Sequence, residues 1–392
     1  MNEIKSILNA VDSTEEPAFL ATVVDVVGSS YRRPTARMLI LPDGKHVGTI
    51  SGGCLERDVC RTAEELTKDG PKLISFDTRR DSTNFNPRYD MGCSGIIYIL
   101  VERVTRDGDC PTAILRHVIE TNGATVCATV YQTDSPEQVA VGKRFTTPSE
   151  LSLAACHNGE DRTLDTIWQE VARTGRPVCC EFATETGSSR VLLERVDPPK
   201  PLWIFGAGDD AVPLQAMAKQ LGWNVTVVDH RASLLTPERF PNTNRICLPW
   251  NQVAQELDAT FDTAALLMTH DFAADRTLIP WLLESDASYV GVLGPKSRTA
   301  RVMKELHAQD RLPSLDSLDR FRTPVGLDIG ASTPSEIAIA VLGEIIADSN
   351  SRSGGRLQAR TAPIHEPVRH ELIELTSASI SVEHKTAKSE IA

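Results

Sequence analysis

No stretch of this sequence stays apolar for the roughly 20 residues that a membrane-spanning helix requires. Met1 to Ala21 carries acids at Glu3, Asp12, Glu15 and Glu16 and has no apolar core of the kind a signal peptide needs, so the expectation is a cytoplasmic protein. Positive charge is also in short supply. Lys and Arg number 41 against 53 Asp and Glu, and the net charge of -12 argues against nucleic acid or an anionic membrane as partner. Aromatics are sparse at 5%, and no CxxC pair occurs. Nine cysteines, an odd number scattered over 392 residues, point to reduced thiols rather than a disulfide framework. The adjacent Cys179 and Cys180, like Cys110, Cys127, Cys156 and Cys247, lack metal-ligand spacing and read as packing residues. No internal repeat of fixed period is visible.

What is present suits a folded chain of two to three domains: 41% hydrophobic and 24% charged residues. Phe19 to Val27 is a β-branched run ending in Gly28-Ser29-Ser30, a buried strand entering a loop. Met38 to Leu41, a Pro42-Asp43-Gly44 turn and His46 to Ile50 predict two further strands. Leu55 to Leu66 has helical spacing, and strands return at Lys72 to Phe76, Ile96 to Val101 and Ala124 to Tyr131. Three prolines in Asp197-Pro198-Pro199-Lys200-Pro201 interrupt helix and strand alike, which places a boundary there. The expected organisation is an α/β domain over 1–198, a Rossmann-like doubly wound parallel-sheet domain over 199–348, and a disordered or loosely attached tail over 349–392.

The second domain opens with the strand Leu202 to Phe205, then Gly206-Ala207-Gly208-Asp209-Asp210-Ala211, a helix to Leu221 and a strand that ends at Asp229. This is a GxGxxA turn in dinucleotide-binding context. Gly206 permits the tight turn, Gly208 admits a pyrophosphate and Asp229 stands where a ribose-binding acid belongs. Asp209 and Asp210 either cap the helix or repel a phosphate. Strands at Ala264 to Met268 and Tyr289 to Leu293 lead into Thr269-His270-Asp271 and Gly294-Pro295-Lys296-Ser297-Arg298. His270 reads as an acid or base, a metal ligand, a positioning group or simply part of a helix start, and Lys296 and Arg298 as an anion site or a solvated loop. Pro324 to Ile329 predicts a last strand, followed by a Thr333-Pro334-Ser335-Glu336 capping box.

Chemistry-bearing residues concentrate in the first domain. Arg32, Arg33 and Arg37 crowd a glycine-led loop, and guanidinium forks suit phosphate oxygens. In Ser51-Gly52-Gly53-Cys54, paired glycines leave N–H groups open at a helix start, a field that favours thiolate at Cys54. Cys93 lies in a second glycine-flanked loop, Met91-Gly92-Cys93-Ser94-Gly95, and the two cysteines are candidates for one shared site.

GSSYRRPTARMLILPDG, GTISGGCLERDV, MGCSGIIYILVE, FGAGDDAVPLQAMAKQLGWNVTVVDHR, LLMTHD, YVGVLGPKSRTARV and GLDIGASTPSEIA, in this order between residues 19 and 347, together resemble the XdhC/CoxI family. The resemblance implies a maturation chaperone rather than an enzyme. Such a protein binds the molybdenum cofactor (molybdopterin), protects it during sulfuration and inserts it into an apo molybdenum hydroxylase of the xanthine dehydrogenase type. A cysteine desulfurase and a second copy of the chain are further candidate partners. Carried to this sequence, it marks Arg32, Arg33, Arg37, Ser51, Gly52, Gly53, Cys54, Cys93, Gly206, Gly208, Asp229 and His270 as cofactor-binding, with Cys54 and Cys93 at the metal. Ser94 and the long tail depart from the pattern. The competing reading is an NAD(P)-dependent oxidoreductase built on the GxGxxA turn and Asp229, but no clear catalytic dyad lies beside that turn.

Overall fold

The structure is a computed structural model that describes residues 3–79, 95–105, 110–154, 162–184, 187–260, 262–310, 314–362 and 364–374. Its contacts divide into an N-terminal unit, Glu3–Pro198 joined by the segment from Glu366, and a second unit over Pro199–His365. Among the described residues no helix is long and apolar enough to cross a membrane, and all seven cysteines are free thiols.

In the N-terminal unit α1 (Glu3–Asp12) precedes β1 (Ala18–Gly28), β2 (Arg37–Ile40), β3 (His46–Gly48), α2 (Glu56–Leu66), β4 (Lys72–Asp77) and β5 (Gly95–Val104). The strands form an antiparallel sheet in the order β3-β2-β1-β5-β4. Strand alternation explains its two faces. Phe19, Ala21 and Val23 join Leu55, Val59 and Ala63 of the α2 region in one core, while Leu20 and Val24 point the other way. Next come α3 (Ala113–Thr121), β6 (Thr125–Thr133), β7 (Arg144–Phe145), α4 (Pro148–Ala154), α5 (Arg162–Thr174), β8 (Val178–Thr184) and β9 (Gly187–Val196). Their strands make a second sheet whose inner face meets the first. Val24, Leu100, Tyr131, Cys179 and Leu192, one from each of five strands, pack together between the sheets.

The second unit strings β10 (Pro201–Phe205), α6 (Ala211–Gln220), β11 (Asn224–Asp229), β12 (Asn244–Cys247), α7 (Trp250–Glu256), β13 (Ala264–Leu267), α8 (Phe272–Glu284), β14 (Tyr289–Val292), α9 (Lys296–Ala308), α10 (Leu315–Asp319), β15 (Phe321–Arg322) and α11 (Pro334–Ser349). All strand pairs are parallel and the order is β12-β11-β10-β13-β14-β15. Numbered within the unit this is 3-2-1-4-5-6, the dinucleotide-fold order, with the switch point between β10 and β13. A parallel sheet must be covered on both faces. Leu214 and Ala218 of α6 and Val341 and Ile345 of α11 cover one, and Leu278 and Leu282 of α8 with Val302 and Leu306 of α9 cover the other.

Two expectations are corrected. The last strand of the second unit is Phe321–Arg322, not 324–329: Pro324 has no N–H to donate, and although Val325 N bonds Val292 O (3.0 Å), Gly326 at φ 114° turns the chain away. The helix that follows does start on the expected capping box, Thr333 with Glu336. The tail is not wholly detached, since Arg369–Glu374 forms β16 on the edge of the second N-terminal sheet, parallel to β8. Its Arg369, His370, Glu371 and Glu374 disguise it in sequence. Charged residues are what an edge strand carries, and here Ile373 is sunk in the core at 3% exposure.

Candidate functional site

In the N-terminal unit the arginine loop and the cysteine loop meet. Arg32 Nε donates to Thr49 O (3.1 Å), and a Cβ on Gly52 would lie 3.6 Å from the Tyr31 ring. Gly48, at φ 86°, is required where the chain passes Arg37 O, since a Cβ would approach that oxygen to 2.4 Å. Beyond it, Ser51 organises the turn. Its hydroxyl oxygen accepts from the N–H groups of Gly53, Cys54 and Leu55, each at 3.2 Å, and from the Cys54 thiol at 3.3 Å. Glu56, 4% exposed, accepts in turn from Ser51 N (2.8 Å), from Thr49 Oγ1 (2.5 Å) and from the Ser51 hydroxyl. Burial alone would raise the Glu56 carboxyl, but the hydrogen bonds from Ser51 and Thr49 outweigh it and hold the group below its ordinary range.

This corrects the expectation of open N–H groups around Cys54. Those of residues 53–55 already converge on Ser51 Oγ, so the loop is set before any ligand arrives. A serine that accepts from the following N–H groups is a local motif, and Ser51 ahead of a helix was the available signal. The part of Glu56 was missed, because a carboxylate in a first helical turn looks like an ordinary dipole partner. What the loop offers outward is the half-buried Cys54 beside exposed Gly52, Gly53 and Tyr31.

The three arginines are not equivalent. Arg32 is 30% exposed at the loop and pairs with Glu3 (3.1 Å). Arg37 turns inward, where its guanidinium pairs with Glu194, at 11% and 3% exposure. A guanidinium committed to a buried carboxylate is a structural link, which corrects the reading of Arg37 as a phosphate ligand. Arg33 is half-buried with interactions of its own. Cys93 lies outside the described residues. Gly95, which follows that segment, is paired with Gly28 at the foot of the arginine loop.

In the second unit the crevice lies at the carboxyl ends of β10 and β13. Gly206 is at φ 116°, and a Cβ there would come within 2.4 Å of Met268 O, whereas a Cβ on Gly208 meets nothing within 4 Å. The turn therefore passes close to the neighbouring strand at its first glycine and faces open space at its second. Asp229 is fully buried. Its Oδ2 accepts from Ala207 N (2.7 Å) and Arg231 Nη2 (2.9 Å), and its Oδ1 from Arg231 N (2.8 Å) and Nε (3.0 Å). Burial would raise its pKa, but the bonds from Arg231 and Ala207 prevail and lower it. The carboxylate has no exposed edge for a ribose, so its expected role is corrected to bracing the glycine turn.

Asp209 and Asp210 do not cap α6 with their side chains, against the capping alternative. Asp209 pairs with Arg239 (3.0 Å), which also donates to Ala207 O, while Asp210 Oδ2 stands 3.0 Å from His270 Nε2. His270 occupies φ 52°, a left-handed backbone that costs a non-glycine residue about 1–2 kcal/mol. The next residue, Asp271, is the true N-cap of α8 and accepts from Ala273 N (2.9 Å). Arg298 is engaged by the fully buried Asp275 (2.8 Å) and by Leu293 O, so of the expected anion pair only Lys296 is exposed.

The family description "XdhC Rossmann domain" matches residues 202–345, and "XdhC and CoxI family" matches residues 12–77. A Bacillus subtilis (strain 168) protein, named as a probable subunit of xanthine dehydrogenase, is 31% identical over 352 residues, 88% of this chain and 97% of the relative. The chain belongs to the XdhC and CoxI family. The molybdenum cofactor insertion chaperone PaoD of Escherichia coli (strain K12) is 23% identical over 84% of this chain and 82% of its own length. A crystal structure titled a xanthine dehydrogenase from Bacillus halodurans superposes with a TM-score of 0.67 at 25% identity, covering 92% of this chain and 98% of that one. Within this XdhC/CoxI chain, the stretch matched at 12–77 contains the whole Tyr31–Glu56 site, and that matched at 202–345 contains the crevice.

Proposed function

We propose that this XdhC/CoxI chain takes the molybdenum cofactor as cargo, shields it while a sulfido ligand is installed, and delivers it to an apo molybdenum hydroxylase of the xanthine dehydrogenase type. The observation that carries the reading is the likeness to PaoD, named a molybdenum cofactor insertion chaperone, along 84% of the chain. The site chemistry agrees with it. A loop fixed in advance by Ser51 and Glu56 holds a thiol at its rim, and sulfur is the donor that suits a soft metal centre already bound by sulfur. Arg32 beside that loop suits a phosphate, which would replace Glu3 on its guanidinium. Ordering of the loop belongs to the empty protein, so binding need not supply it.

The oxidoreductase alternative keeps the glycine turn but loses its acid, since Asp229 is enclosed by Arg231 and Ala207. The two readings part on what the protein carries. Purified from molybdenum-replete cells, the parent chain should hold molybdenum and pterin together, and Cys54→Ser, which keeps the Ser51 hydrogen-bonded loop but removes sulfur, should lower that loading at least about tenfold. Equal loading of the variant, or NADH binding with hydride transfer and no pterin, overturns the proposal.

A further inference from the structure

A cluster that the cofactor reading does not use lies between the two sheets of the N-terminal unit. Asp25 of β1, Cys179 of β8 and His370 of β16 each present one donor atom, and the three atoms lie within 4.8 Å of one another. Two irregularities in strand pairing aim the groups inward. In β1 the pairing with β5 shifts between Val23 and Asp25, so Val24 and Asp25 both face the second sheet. In β6 the pairing with β9 shifts between Val130 and Gln132, and Tyr131 at that break donates its hydroxyl to Asp25 Oδ2 (3.3 Å). Bulges that redirect side chains are characteristic of binding sites. His370 stands directly opposite Cys179 in the β16–β8 ladder, so their side chains share a face.

From these placements we propose that Asp25, Cys179 and His370 form a zinc site, separate from the Cys54 loop and independent of the cargo proposed above. The donor set is one carboxylate, one cysteine sulfur that gives up its proton to solvent when the metal binds, and one imidazole, the mixture that suits Zn2+ and not the all-oxygen shells of Mg2+ or Ca2+. Two anionic ligands balance a divalent ion. His370 Nε2 and Asp25 Oδ1 are 2.8 Å apart. Two ligands at ~2.05 Å from a tetrahedral ion stand ~3.3 Å apart, so a small opening of this pair admits the metal. Val26 N and Tyr131 orient the carboxylate as outer-shell partners do.

The surroundings favour an open position. The cluster borders a cavity of about 370 Å³ whose wall also includes Tyr98, Glu181 and Arg190. Asp25 and Cys179 are 4% and 2% exposed, while the His370 side chain is 48% exposed, which gives an ion a way in. Three protein ligands facing a cavity leave a fourth place for water or a small ligand, the arrangement of a reactive rather than a purely structural zinc. Arg190 is occupied by Glu181 (3.1 Å) and does not stand alone against the cation. Sequence spacing could not reveal such a site. Its ligands are 25, 179 and 370 in a chain where metal motifs are sought within a few residues, and Cys179 read as packing on that ground.

The test uses the full-length chain, reduced and stripped with a chelator, then titrated with Co2+ and Zn2+. One equivalent of Co2+ should bind with a thiolate charge-transfer absorption and tetrahedral visible bands, and Zn2+ should displace it. Cys179→Ser should abolish the charge-transfer band. His370→Asn, an exposed change on an edge strand that leaves the fold intact by circular dichroism, should weaken Co2+ by more than about 100-fold, beyond what loss of an outer-shell partner does. Tyr131→Phe should keep the band. Absence of a stoichiometric band, unchanged Co2+ affinity in His370→Asn, or loss of the band in Cys54→Ser but not in Cys179→Ser overturns the site.

Discussion

Asp229 is a buried carboxylate held by two main-chain N–H groups and one guanidinium, so its charge ties the glycine turn to pH. Its pKa is lowered in the folded unit. Its stabilising contribution is therefore complete above the unfolded value of ~3.9 and disappears as pH falls through the lower folded value. Asp229→Asn should cost about 3 kcal/mol near neutral pH, the order found when a buried charge partner is removed. Measured by denaturant unfolding of parent and variant, the deficit should begin to shrink as pH falls below about 4, where the unfolded carboxylate takes up its proton, and vanish once pH passes the lower folded value, where the folded parent also becomes neutral. A deficit that stays constant from pH 7 to pH 3 would show that the charge has no part in bracing the turn. Arg37 teaches the same lesson: three arginines in six positions are a charge cluster in sequence, but burial opposite Glu194 gives one of them a different task.

At the scale of elements, the β10–α6 turn separates the two glycines by what surrounds them. Gly206→Ala would bring a Cβ onto Met268 O at a φ of 116°, and should destabilise the second unit by roughly 2–5 kcal/mol from strain and overlap together. Gly208→Ala should fold as the parent does, because its Cβ points into open space. Gly208→Val then becomes a clean probe: thermal unfolding close to the parent with weakened binding of a phosphate-bearing ligand is the expected pair of results. Equal ligand binding by Gly208→Val and the parent would remove the crevice from any phosphate contact. The strand breaks at Val24 and Tyr131 act on the same scale. Each inserts a residue that a period-two pattern cannot show, and each changes which face a side chain reaches.

For the whole molecule, the chain leaves the N-terminal unit at Pro198, builds the second unit, and returns with β16. Ending the chain after His365 should strip the edge of β8 and uncover Cys180 and the core against which Ile373 packs, lowering the stability of the N-terminal unit and promoting association through the uncovered strand. Sedimentation and thermal unfolding of the truncated and full chains decide this, and identical behaviour of the two means that β16 adds nothing. The doubly wound unit was legible in sequence because its determinants are local: apolar strands, a glycine turn after the first, a capping box before the last helix. So was the presence of the Tyr31–Cys54 loops, whose residues lie close along the chain. Facts of burial and distant pairing were not: that Arg37 and Asp229 turn inward, and that β16 brings His370 beside Asp25, 345 positions away. Periodicity and turn chemistry are written in neighbouring residues, so the sequence alone determined the elements and the motifs they carry. Burial and partner choice arise only when distant strands meet, so tertiary structure decided which charged and sulfur-bearing side chains brace the fold and which face a ligand.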